Sequence, residues 1–153
     1  MLYLLCDSEN AFLSDFNVYL GKGNASKHGL GYHVATRMTR DITGKYFRVY
    51  FNNYFTSVQL MIHLLADDIY SCGTVRMNRR GFPDDLKGRL RLQRGQSVTR
   101  QKGNLTPSVW QDKMPVAFLM MSDPRAQVPV TRQHRRQELR LTQPHSANEY
   151  TST

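Results

Sequence analysis

The sequence is poor in the features that define several large classes of protein. It has only two cysteines, Cys6 and Cys72, without CxxC or Cys/His ligand spacing, so neither a zinc site nor a disulfide framework is expected. No apolar run approaches the roughly 18 residues of a membrane span. The apolar start, Leu2 to Cys6, has no basic residue before it and meets Asp7 at once, which does not fit a signal peptide. We therefore expect one soluble α/β domain with no membrane partner.

Net charge is also absent from one half of the chain. Residues 1–75 carry six Lys/Arg and six Asp/Glu, whereas residues 76–140 carry fifteen basic and five acidic residues. Residues 76–140 therefore carry a net charge of +10, and Glu149 brings the total to +9. A cationic segment is suited to phosphate contacts, because Lys and Arg displace counterions from nucleic acid. A solvated basic face is an equally good explanation on charge alone.

The first half has the alternation of strands and helices that is typical of an α/β sheet. An apolar strand over Leu2 to Cys6 is followed by a second strand within Ala11 to Leu20, and the two are predicted to form a hairpin. Apolar residues at helical spacing predict a helix from Leu30 that ends before Gly44.

The stretch from Tyr46 to Ser57 is the most informative. Its aromatic start predicts a strand ending at Phe51, and Thr56 with Gln59 matches a capping box that would begin a helix. A strand pattern over residues 69–75 completes a βαβ unit, so part of the sheet should be parallel. Since ligands bind where strands of an open α/β sheet end, Asn52 is the residue expected to face one.

Beyond this unit the composition changes twice. Residues 1–92 are assigned to the α/β core, with a short helix predicted from Pro83 to Leu90. Turn-rich breaks between short apolar segments predict a β-rich insertion over 93–123, with Trp110 in its small core. Residues 124–153 are poor in large apolar side chains, and most of them are predicted to be disordered.

Five motifs occur in an order and spacing that resemble one known family. They are Cys6-Asp7-Ser8, Val18 to Gly23, Asn52 to Ser57, Cys72 to Arg79 and Trp110 to Lys113. Together they resemble piggyBac-like transposases and their domesticated relatives over about residues 2–122. The resemblance implies a partial RNase H-like mixed sheet with a β-rich insertion subdomain, and DNA as the partner.

The resemblance also assigns roles to two strand ends. Asp7 matches the first aspartate of a set that holds two Mg²⁺ ions in the intact family, and Asn52 matches the second, where the family has Asp. An amide oxygen can ligate a hard cation but brings no charge to it. The family's later acids, on a Gly-Gly-Val-Asp type motif, have no counterpart here. Without the family, Asp7 is better explained as a turn or cap residue.

The hypotheses are therefore three. The first is a truncated, degenerate transposase domain without DNA cleavage or strand transfer, needing no cofactor. The second is a nucleic-acid-binding module whose best phosphate contacts are Arg76, Arg79 and Arg80, directly after a predicted strand. The third is an unstable product with no molecular function. No small-molecule substrate is expected, the oligomeric state is open, and the family resemblance implies the nucleus, with the cytoplasm as the alternative.

Overall fold

A computed structural model describes residues 1–21, 28–88 and 90–121, together with the backbone of 127–134 and 137–144. The strands are β1 (Leu2–Cys6), β2 (Leu13–Val18), β3 (Arg48–Phe51), β4 (Tyr70–Val75), β5 (Ser97–Thr99), β6 (Leu105–Gln111), β7 (Pro115–Met121), β8 (Gln127–His134) and β9 (Gln137–Pro144). The helices are α1 (Leu30–Met38) and α2 (Val58–Ala66), and short 3-10 turns lie at Arg40–Ile42 and Asp84–Leu86. None of the described helices has the length and apolar character needed to cross a membrane.

The predicted order of elements in the first half is confirmed. β1 and β2 form an antiparallel hairpin, and β3 pairs with β4 in parallel from Arg48 opposite Tyr70 to Phe51 opposite Gly73. α2 connects β3 to β4 and covers the sheet with its apolar side, where Leu60, Met61 and Leu64 are fully buried. The βαβ unit is therefore present as the periodicity indicates.

The start of α2 differs from the prediction by one residue. Ser57 is the N-cap, and its hydroxyl oxygen accepts a hydrogen bond from the backbone N–H of Leu60 at 3.2 Å. Thr56 is completely buried, and its hydroxyl donates a hydrogen bond to the carbonyl of Asn52 in the preceding loop. The Thr56/Gln59 capping box was therefore wrong, because the hydroxyl of Thr56 is used in the loop before the helix.

The β-rich region joins the core sheet. The five-stranded sheet has the order β3-β4-β7-β6-β5, with β7 antiparallel to both β4 and β6. Trp110 is buried against Phe118, as expected. The strands β5, β6 and β7 lie within the predicted 93–123 segment and extend the sheet that β3 and β4 begin, while the boundaries of that segment as a separate insertion stay a prediction.

Two predictions for later segments do not match the backbone. Pro83 is followed by the 3-10 turn Asp84–Leu86 and not by a helix, since Lys87 already has extended geometry. Residues 127–134 and 137–144, within the segment predicted to be disordered, form the antiparallel pair β8 and β9. β-branched and leucine residues alternate with polar ones there, a pattern that favours strands and that overall composition conceals. The rest of 124–153 lies outside the described residues.

The buried side chains form two principal clusters on the five-stranded sheet. One lies between α2 and the strands β4, β6 and β7, and includes Met61, Val109 and Leu119. The other lies between α1, α2 and β3, and includes Ala35, Phe51 and Leu64. Both clusters contact α2, so this helix fixes the position of the loop that precedes it.

Candidate active site and nucleic-acid contacts

Asn52 is exposed and directly follows β3, at the strand end where the sequence placed it. Its side-chain oxygen accepts a hydrogen bond from the backbone N–H of Tyr54 at 2.9 Å. Its carbonyl oxygen accepts the N–H groups of Phe55 at 3.2 Å and Thr56 at 3.1 Å. This is an Asx turn continued by a helical turn, a conformation that Asn and Asp adopt equally well. The backbone at this position is therefore compatible with either residue.

The buried hydroxyl of Thr56 fixes the same loop from inside. It donates to the carbonyl of Asn52 at 2.8 Å, and the carbonyl of Phe51 lies 3.4 Å from it. Gly73 of β4 makes room for this arrangement. A Cβ at Gly73 would lie 2.4 Å from both the Phe51 carbonyl oxygen and Thr56 Oγ1, which no real contact permits. Glycine inside a strand often marks such a close approach of two backbone segments. Gly73, inside the predicted strand over residues 69–75, is therefore the sequence feature that could have indicated this packing.

Arg79 holds the loop from outside. One guanidinium nitrogen of Arg79 donates to the carbonyl of Asn53 at 3.1 Å and to that of Tyr54 at 2.8 Å. The side chain is only partly exposed, and its Nε is buried without a partner in the described residues. Sequence reasoning assigned Arg79 to phosphate contact together with its neighbours. In the structure this residue connects the turn after β4 to the loop after β3, and its contact with phosphate stays a prediction.

Arg76 and Arg80, the other two predicted phosphate contacts, are exposed. Both follow β4. Because β3 and β4 pair in parallel, these two arginines and Asn52 follow the carboxyl ends of neighbouring strands. Their assignment to nucleic acid stays a prediction.

Asp7 is exposed at the end of β1 and also lies in a turn. Its Oδ1 accepts the backbone N–H of Glu9 at 2.8 Å, and its carbonyl accepts that of Ala11 at 2.9 Å. Ala11 has a positive φ of 57°, which the turn between the two strands requires. Asp7 thus has the turn role that its sequence context favours without the family, and it stays a candidate metal ligand by resemblance.

The two candidate positions belong to different sheets among the described strands. β1 and β2 form a two-stranded sheet, while β3 belongs to the five-stranded one. Side chains connect them: the hydroxyl oxygens of Tyr3 and Tyr54 are 3.1 Å apart, and the ring of Phe55 meets Tyr3 edge-on at 5.4 Å. The hydrogen bond to Tyr54 and burial raise the pKa of Tyr3 to about 12. Aromatic contacts thus join β1 to the loop that follows β3.

The described residues do not provide the ligands of a two-metal site. No group of three His, Cys, Asp or Glu side chains in the described ranges is placed to hold a metal ion. At the strand ends that the family resemblance points to, one carboxylate and one neutral amide are present. Two divalent cations are normally held by several converging carboxylates, so this set does not fit them.

His63 is partly exposed, with Nε2 at 3.5 Å from Oδ2 of Asp67 in the next turn of the chain. It borders an open groove between α1 and α2 of about 490 Å³, which is lined by His33, Thr36, Arg37, Arg40, Thr43, His63 and Asp67. Asn52 is not among these residues, so the groove is separate from the loop described above.

Comparison with known proteins decides the family. The family model described as Transposase IS4 matches residues 1–153, which is the whole chain. The chain belongs to this transposase family. The fold is also similar to that of piggyBac transposase in a cryo-EM structure of its synaptic complex with hairpin DNA. The TM-score is 0.80 at 25% identity over 99% of this chain.

These findings confirm the resemblance to piggyBac-like transposases and the partial RNase H-like α/β fold. The chain covers 31% of the length of that piggyBac transposase chain. It therefore spans about a third of the length of that relative.

Proposed function

We propose that this chain is a degenerate transposase domain that neither cleaves DNA nor transfers strands. The observation that supports this most is Asn52. The strand end, the Asx turn and the capped helix are retained, but the side chain at the position of the second family aspartate is a neutral amide. A metal carboxylate contributes charge that its amide does not, and charge is what lowers the pKa of metal-bound water.

Metal dependence is the property in which this chain should differ from intact members of the family. Intact family members need Mg²⁺, whereas Asp7 alone is a weak and incomplete ligand set, so this chain needs no cofactor. Restoring Asp at residue 52 adds one carboxylate to that of Asp7, and two carboxylates are still a weak set for two divalent cations.

The test compares the wild-type chain with the variant Asn52→Asp on transposon-end DNA in Mg²⁺ or Mn²⁺. An intact piggyBac-like transposase is the positive control. Because Asp supports the same Asx turn, both proteins should have the same thermal stability. We expect no strand cleavage by either. Metal-dependent cleavage by the wild-type chain would overturn the proposal.

A second candidate function is nucleic-acid binding without chemistry, for which a specific observation exists. The exposed Arg76 and Arg80 follow β4 next to the loop of Asn52, in the half of the chain that carries the net positive charge. DNA is the proposed partner, and no small-molecule substrate is proposed.

The contacts of Arg79 determine which arginines can be changed in a test of DNA binding. Arg79 must be left in place, because its loss would disturb the loop and confuse folding with binding. Arg76→Glu/Arg80→Glu should weaken DNA binding and reduce the slope of log K against log salt by about 2. The matched control is Arg37→Glu/Arg40→Glu, which makes the same charge change at exposed residues of the neutral half. Equal losses in both variants, or binding insensitive to salt, would reject this function.

We also propose the nucleus as the compartment, on family grounds alone. Imaging of a tagged chain tests this directly, and uniform exclusion from the nucleus would reject it.

A further inference from the structure

The five-stranded sheet has a second face, opposite to the one that α2 covers. On the first face, Met61 of α2 packs against strand residues such as Val109 and Leu119. The neighbouring residues along these strands point to the other side, because side chains alternate across a strand. The register aligns six of them on adjacent strands, and together they define the far sheet face: Cys72, Thr106, Ser108, Trp110, Phe118 and Met120.

The far sheet face is buried, although the two helices lie elsewhere. Each of its six residues is at most 3% exposed. The residues of this sheet that belong to the clusters of α1 and α2 come from the opposite face. Trp110 and Phe118 form a separate apolar cluster with Val116. A sheet that is apolar on both faces needs a layer on each of them, so another part of the chain covers this face.

The position of β9 identifies that part. Cα atoms of β9 lie within 8 Å of Cα atoms of β6. Both edges of β6 are already occupied, because β7 pairs along one edge and residues 96–102 bond along the other. β9 therefore approaches β6 from a face and not from an edge. On the first face, Met61 already packs against Leu105 and Val109 of β6, which leaves the far sheet face for β9.

The sequence of the β8–β9 hairpin matches this location. Its register places Val130 opposite Leu141 and Arg132 opposite Leu139. Because residues alternate across each strand, the large apolar positions share one face of the hairpin: Val128, Val130, Leu139 and Leu141. The other face has the positions of Thr131, Glu138, Arg140 and Thr142. One apolar and one polar face is the pattern of an antiparallel layer that packs on a core from one side.

We propose that the β8–β9 hairpin is the cover of the far sheet face, with its apolar face packed over Trp110. The contact should be weaker than that of α2, because the hydroxyl of Thr106 is buried on this face without a hydrogen-bond partner in the described residues. The hairpin should therefore detach before the α2 side of the sheet unfolds. The proposal does not rest on the proposed function. It opposes the hypothesis of an unstable product, since both faces of the sheet are then covered.

Fluorescence of the full 153-residue chain tests the proposal, because Trp110 is its one tryptophan. The wild type should emit at short wavelength and resist quenching by acrylamide, as expected of a residue that is 3% exposed. Val130→Lys/Leu141→Lys places two charges without partners against an apolar surface, so the hairpin should detach. The emission should then shift to longer wavelength, and acrylamide quenching should increase.

The matched control is Thr131→Lys/Thr142→Lys. It adds the same two charges at neighbouring positions on the polar face of the β8–β9 hairpin, and it should change neither the emission nor the quenching of Trp110. Far-UV circular dichroism shows whether each variant is folded. If Val130→Lys/Leu141→Lys fails to fold, Leu141→Ala removes apolar volume without adding charge and should give a smaller shift in the same direction.

A distance measurement tests the location without disturbing the contact. A nitroxide label on Thr142→Cys, in a Cys6→Ser background, lies on the polar face of the hairpin, and the buried Cys72 stays unlabelled. The label should broaden the amide resonances of residues 108 and 110 of β6 more than those of residues 60 and 64 of α2.

Several results would overturn the proposal. Free quenching of Trp110 in the folded wild type would show an open face, available to a segment of a longer chain or to another protein. An unchanged Trp110 in Val130→Lys/Leu141→Lys, or an equal shift in its control, would show that the apolar hairpin face is not the cover. Stronger broadening in α2 than in β6 would place the β8–β9 hairpin on the other side of the sheet.

Discussion

The β3–α2–β4 unit and the β1–β2 hairpin carry the two candidate metal positions, but their surroundings differ. The loop of Asn52 is held by the Thr56 hydroxyl, by Arg79 and by the close approach of Gly73. The turn of Asp7 is held by its own local hydrogen bonds, and the strands beside it leave one apolar face exposed. The carboxylate therefore lies in a turn held by local hydrogen bonds, while the loop held by contacts from distant residues has a neutral amide at its candidate position. The conformation of this loop thus does not require a charge at residue 52.

The largest expected contrast between these regions comes from truncating one leucine in each. Leu64→Ala removes a fully buried side chain from α2 and should lower the free energy of unfolding by about 3 kcal/mol. Leu4→Ala, at a position of β1 that is 55% exposed, should change it by less than about 0.5 kcal/mol. Urea unfolding measures both variants. Similar losses would show that the Leu4 side chain is buried in solution.

Gly73→Ala tests how tightly the Asn52 loop is packed. The new Cβ must displace the Phe51 carbonyl or the Thr56 hydroxyl, so we expect a loss of about 2 kcal/mol. Ser14→Ala in the hairpin, an exposed position, is the comparison and should be nearly neutral. Thermal and chemical unfolding measure the difference, and a neutral Gly73→Ala would mean that the loop adapts easily.

Arg79→Ala should have a smaller effect on stability, about 1 kcal/mol, because its hydrogen bonds are partly solvated. Amide hydrogen exchange should accelerate at Tyr54 and Phe55, while Arg80→Ala should leave both rates unchanged. If Arg80→Ala accelerates them equally, Arg79 is not the residue that holds the loop.

The smallest effect concerns the link between the two regions at high pH. The pKa of Tyr3, raised to about 12 by the Tyr54 hydrogen bond and burial, means that the folded state favours the protonated phenol. Its contribution to stability is full below the ordinary pKa of 10.0 and is lost as pH rises towards 12. Spectrophotometric titration of the Tyr54→Phe variant should show Tyr3 ionising at lower pH. An unchanged titration would contradict the contact.

Sequence reasoning succeeded where a local pattern determines local structure. The apolar run of β1 and the helical spacing in α2 predicted the hairpin and the βαβ unit, and the aromatic strand pattern placed Asn52 at a strand end. The pairing of β7 with β4 could not be read from sequence, because contacts between distant strands leave no local pattern.

The candidate site was predicted in position but not in its internal contacts. Arg79 resembled its exposed neighbours in sequence, and only the fold shows that its guanidinium reaches the carbonyls of residues 53 and 54. Thr56 and Ser57 are both good caps by type, and the choice between them depends on which hydroxyl is buried.

The most direct test of the central claim is a single-turnover cleavage assay with labelled transposon-end DNA and Mg²⁺ or Mn²⁺. It should include the wild-type chain, Asn52→Asp and an intact piggyBac-like transposase as the positive control. The account predicts nicked DNA only with the intact transposase, and an Asn52→Asp protein that is as stable as the wild type. Metal-dependent nicking by the wild-type chain, abolished by Asp7→Ala, would contradict it.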